Sequence, residues 1–186
     1  MGNQRIIIII IVFIFSNFSC NKNKTEEKKI EYIKSNYFDD KRIINDKFNV
    51  KFKGNLHSFA ELELYYSYND LKKEELLPYI LIIVEKYKKY KHCTTAFNSY
   101  IEFYTGSKFE YDGSKMSLLR YLKNLNKLNK DQKNYLIYFL NLGLVNNDLA
   151  SVKYLEILYR NGIGLKKNLI KADSLNNKLT QLEKSN

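Results

Sequence analysis

The sequence predicts an all-α protein: about six to seven helices stacked as antiparallel hairpins, behind an N-terminal targeting segment. Three observations carry this. The 186 residues contain one Pro and seven Gly, too few breaks for a turn-rich β fold. From Leu56 onward, apolar residues recur at helical spacing. A frame of a small residue, an apolar residue four positions on and a Tyr four further on also occurs three times: Ser58-Leu62-Tyr66, Ala96-Tyr100-Tyr104 and Ser151-Leu155-Tyr159. The first two copies start 38 residues apart (58 to 96), and the third starts 55 later (96 to 151), which leaves room for an inserted loop or helix. A helical hairpin cannot bury its apolar face alone, and three copies are roughly the minimum for a stacked array. The alternative reading of the same pattern is an irregular helical bundle.

Residues 1–19 have the form of a signal peptide. Arg5 supplies a positive start, and Ile6 to Phe15 form an unbroken apolar run of ten. That is too short to span a bilayer, which takes about 20 residues, but it suits the apolar region of an export signal. The run leads to Ser16-Asn17-Phe18-Ser19-Cys20. A small residue directly before a Cys resembles the lipobox of bacterial lipoproteins, with Asn17 and Phe18 where Leu and a small residue are commoner. The resemblance implies cleavage before Cys20, with diacylglycerol on its sulfur and an acyl chain on its new amino group. It places the protein in the cell envelope after export, lipid-anchored to a bacterial outer membrane. The plainer alternative is an ordinary signal peptide or an uncleaved anchor with an incidental Cys.

Residues 20–54 read as the acylated Cys, a flexible tether (Asn21 to Lys29, NKNKTEEKK) and an extended lead-in. Within the lead-in, Phe48, Val50 and Phe52 alternate with polar residues as in a strand.

Residues 55–186 form the helical domain. Phe59, Leu62, Tyr65 and Tyr66 share the face of a first helix that closes at Asn69-Asp70. A second helix is expected over about 73–90, with Leu76, Leu77, Ile80, Leu81, Val84 and Tyr87 as its stripe and Pro78 tolerated near its first turn. Ala96, Tyr100, Phe103 and Tyr104 mark a third helix ended by Gly106, followed by a loop around Asp112-Gly113. Leu118, Leu119, Leu122 and Leu125 give a fourth. Tyr135, Ile137, Tyr138, Leu140 and Leu142 give a fifth, stopped at Gly143.

The last pair, about 148–161 and 168–182, is the most specific. Leu155, Leu158 and Tyr159 form an amphipathic stripe. Gly162 fits the left-handed position just past a helix end, and Asn168 suits the cap of the next helix. This segment resembles the Sel-one-like repeat, a relative of the tetratricopeptide repeat, through Ser151, Leu155, Tyr159, Gly162, Gly164, Lys171 and Ala172. Glu156 stands where the family has Gly, Leu165 where it has Val, and Asn168 where it has Asp. The resemblance covers about 22 residues. It implies a tetratricopeptide-like α-solenoid that binds a protein or peptide, without naming which.

The formal charge of +11 is carried by Lys, since Arg5, Arg42, Arg120 and Arg160 are the only Arg. Readers of nucleic acid lean on Arg forks, so the charge reads as a solvated surface with no nucleic acid expected. No catalytic residue, metal ligand set or cofactor is expected. His57 and His92 belong to no set of carboxylates and Cys at metal-ligand spacing, and Cys93 beside His92 reads as a buried thiol. The pairs Glu26-Glu27, Asp39-Asp40 and Glu74-Glu75 are sequence neighbours that point apart, and no phosphate loop or nucleophile elbow is present. The expected function is a non-catalytic binding module on a lipid anchor. The alternatives are an immunity or inhibitor protein of the envelope, or an envelope enzyme with an unrecognised site.

Overall fold

The computed structural model describes residues 38–110 and 112–185; the signal segment, Cys20 and the tether lie outside them. Among these residues there are eight α-helices joined by 3-10 turns, and no strand.

The first helix, α1 (Asp40–Lys53), occupies the stretch expected to be extended. Asp39 caps it by accepting from the Arg42 N–H at 2.7 Å, and Gly54 ends it at φ 61°. The buried face is Ile43, Asp46 and Val50, at i, i+3 and i+7. The alternation of Phe48, Val50 and Phe52 is therefore incidental: Val50 packs inward, while the two Phe rings stay half exposed on another side of the helix.

Helix α2 (Leu56–Ser67) starts at Asn55, whose side chain accepts from the Ser58 N–H at 2.9 Å. The helix expected over about 73–90 is real but uneven. A 3-10 turn (Asp70–Leu76) leads into α3 (Leu77–Leu81), with Pro78 in its first turn, and then into a π-helical turn (Ile82–Lys86). Just past that turn the Tyr87 ring lies under Gly54, where a Cβ would stand 2.4 Å from it.

After a short 3-10 turn (Tyr90–His92), α4 (Cys93–Thr105) ends at Gly106 in the left-handed conformation, as expected. Helix α5 (Lys115–Leu122) runs into a 3-10 turn (Lys123–Lys127). A full capping box, Asn129 with Gln132, starts α6 (Lys130–Val145). Gly143 does not stop this helix: it is buried within it, and the chain turns instead at Asn147, which takes φ 60°. Helices α7 (Leu149–Asn161) and α8 (Leu169–Ser185) complete the chain.

The main packings are α1 on α2, α3 on α4, α4 on α6, α6 on α7, and α7 on α8. Helix α4 thus pairs with α6 across an insertion made of α5 and its 3-10 turn, which fills the longer gap between the second and third copies of the frame. The small and apolar positions of all three copies are buried: Ser58 and Leu62, Ala96 and Tyr100, Ser151 and Leu155. Aromatic rings act as knobs between helices. Tyr100 of α4 stands edge-on to Tyr135 at 5.1 Å and stacks on Phe139 at 5.9 Å, both on α6.

Candidate interaction site

The residues singled out in the last hairpin are brought together, and they lock it. Leu155 and Ala172 are fully buried. Beyond α7, Gly162 (φ +67°) and Gly164 (φ +64°) both take the left-handed conformation. The Ile163 N–H reaches back to the Leu158 carbonyl at 3.1 Å, and Ile163 is buried. Asn168 accepts from the Lys171 N–H at 2.9 Å, capping α8, while its own N–H donates to the Tyr159 carbonyl at 2.9 Å. Lys171 Nζ donates to the Tyr159 hydroxyl at 2.7 Å and lies 4.3 Å from the ring centroid. Ser151 is buried beside Asp148, which accepts both its N–H and its hydroxyl.

Glu156 is also buried. It is held by Arg160 one turn on and by Lys115 of α5 at 3.6 Å, and Arg160 bridges to Asp173 of α8 at 2.8 Å. These side chains are engaged with one another. They hold the hairpin together and tie it to α5.

Elsewhere, the 3-10 turn Asp70–Leu76 lies beside α4, with Lys73 paired to Glu102. A cleft of about 280 Å³ is lined by Lys73, Glu74 and Leu77 on one side and by Ser99, Glu102, Phe103, Gly106 and Lys108 on the other. Its floor is organised by Glu102, which takes Lys73 on one oxygen and the Phe109 N–H, at 2.7 Å, on the other. Phe103, 47% exposed, offers an aromatic wall beside this ion pair. The cleft thus sets an apolar wall beside charged and hydroxyl groups, from Lys73, Glu102, Lys108 and Ser99. The residues that form it come from segments some 30 positions apart, and Phe103 reads in sequence as part of the buried stripe. Only its exposure reveals it.

His92 sits edge-on to Phe59 at 5.1 Å, and burial lowers its pKa. Burial pushes the Cys93 thiol up to about 12, with the Asp148 charge acting in the same direction, the reverse of what a nucleophile needs. Among the described residues, no group of three or more His, Cys, Asp or Glu is placed to hold a metal ion, and no helix is long and apolar enough to cross a membrane.

No protein-family model, curated protein or solved structure matches this chain.

Proposed function

We propose that this protein is a lipid-anchored bacterial envelope protein whose helical repeats serve as a non-catalytic binding module for a protein or peptide. The observation that carries the reading is the α7–α8 hairpin. Each residue by which the sequence resembles the Sel-one-like repeat has a defined structural task there, from the left-handed Gly162 to the Lys171–Tyr159 contact. The signal-like residues 1–19 and Ser19-Cys20 supply the anchor. The cleft under Phe103 supplies the contact surface.

The test has two arms. Cys20→Ser should release the protein from the membrane fraction or stall its processing; a mutant that still fractionates with membranes at the mature mass would refute the anchor. A partner cross-linked to the acylated wild-type protein in intact envelopes should be lost from Phe103→Glu. Undiminished cross-linking would remove the cleft from the reading.

A further inference from the structure

Helix α1 is apolar on two sides. One side, with Ile43 and Val50, is buried in the core. The other carries Ile44, Phe48 and Phe52, which are 67%, 50% and 56% exposed. Their i, i+4, i+8 spacing sets them in one row along the helix, and the two Phe rings touch at 4.8 Å. Single exposed apolar residues are ordinary, but a contiguous row marks a contact surface.

Cations flank the C-terminal part of this row, while exposed Asp40 stands one turn before Ile44. Lys51 Nζ lies 5.3 Å from the Phe52 ring and Lys53 Nζ 5.7 Å from the Phe48 ring. More are delivered by the turn after α3. Lys86 Nζ and the Tyr87 hydroxyl both donate to the Lys51 carbonyl, at 3.0 and 3.1 Å, which fixes exposed Lys88 and Lys89 at the same end of α1.

We infer that this face of α1, with the lysines gathered at its C-terminal end, lies on an anionic lipid surface. Aromatic and aliphatic side chains flanked by Lys are what a helix lying in the headgroup region presents. A second copy of the chain would set one lysine cluster against another, and like charges across an interface are costly. The inference rests on the proposed anchor. Residues 21–37 separate Cys20 from Phe38, and at about 3.5 Å per residue they keep the start of α1 within roughly 70 Å of an acylated Cys20.

The experiment uses the acylated protein in vesicles of phosphatidylcholine mixed with phosphatidylglycerol. A nitroxide is placed on Asn45→Cys, exposed beside the row, or on Asn177→Cys, exposed on α8; the native Cys93 is buried. The Asn45 label should collide more readily with oxygen than with a nickel chelate, as in a bilayer, and the Asn177 label should show the reverse. Phe48→Ser/Phe52→Ser should abolish the inversion at position 45 while the protein still floats with vesicles. Floating protein whose Asn45 label stays as accessible to nickel as the Asn177 label overturns the inference and spares the anchor. Dipolar broadening at position 45 identifies a second copy as the occupant and overturns it as well. Protein that does not float at all overturns the anchor, and this inference with it.

Discussion

Gly143 of α6 and Ser151 of α7 meet so closely that a Cβ on the glycine would stand 2.1 Å from the Ser151 hydroxyl oxygen and 2.6 Å from its Cβ. The crossing of the two helices depends on that missing atom. The close approach of the two helices is made at Gly143, while Glu156 of α7 is buried with its charge paired.

Gly143→Ala should therefore destabilise the protein, although alanine is the better helix former by about 1 kcal/mol. Overpacking typically costs about 1–3 kcal/mol, and the colliding atoms belong to a buried side chain held by Asp148. Chemical denaturation should show a lower midpoint at unchanged slope. A midpoint above wild type would mean that α6 and α7 do not cross here.

Glycines at positive φ should rank by what surrounds them. An alanine at Gly54 meets left-handed strain and the Tyr87 ring at 2.4 Å; at Gly162 it meets the same strain and Lys167 Cβ at 3.2 Å; at Gly113 (φ +87°) it meets strain alone. Strain costs about 1–2 kcal/mol at each. The order of loss should be Gly54→Ala, then Gly162→Ala, then Gly113→Ala, and Gly162→Asn should be milder than Gly162→Ala because Asn tolerates this conformation. Equal midpoints for the three alanine variants would remove the packing argument.

Arg160→Ala should cost roughly 1–3 kcal/mol by leaving the buried Glu156 carboxylate with only the exposed Lys115. Adding Glu156→Gln should recover part of the loss, since a neutral amide is cheaper to bury than an unpaired charge. A double-mutant cycle measures this directly. Strict additivity would show that the pair is not coupled.

Glu63 gives the fold a pH dependence. Burial raises its carboxyl from 4.5 to about 7 in the folded protein. The folded state therefore holds this proton more tightly than the unfolded chain, and stability falls as pH rises from about 4.5 through 7. At about 1.4 kcal/mol per unit, the ceiling on this loss is about 3 kcal/mol. Glu63→Gln should be more stable than wild type at pH 8, with the difference shrinking toward pH 4.5. A difference that stays constant across that range would assign the effect to something other than this carboxyl.

Much of this architecture was legible in the chain because local signals and burial agree. Gly106 ends α4, Asn168 starts α8, and the tyrosine frame picks out α2, α4 and α7. The failures come from residues whose local meaning is ambiguous. In α1 the inward face includes Asp46 while Phe48 and Phe52 point out, so the apolar pattern tracks two surfaces at once and imitates a strand. Gly143 looks like a stop, because a glycine that ends a helix and one that lets another helix approach are the same letter. The cleft at Phe103 was hidden for a different reason: it exists only once the 3-10 turn at Asp70–Leu76 is laid beside α4.

The insertion formed by α5 and its 3-10 turn does more than fill a gap. Leu125 lies under Gly164, Asn126 accepts the Gly164 N–H at 3.2 Å, and Lys115 reaches Glu156. In a simple repeat array each unit senses only its neighbours, so the end can fray while the middle persists. Here the final hairpin is also clamped by a segment that precedes α6. Opening α8 away from α7 strains the turn that the insertion grips, which couples the end of the domain to its middle. The amides of α7 should accordingly exchange with solvent through the same cooperative opening as those of α6, and the domain should unfold as one body instead of unzipping from its last helix.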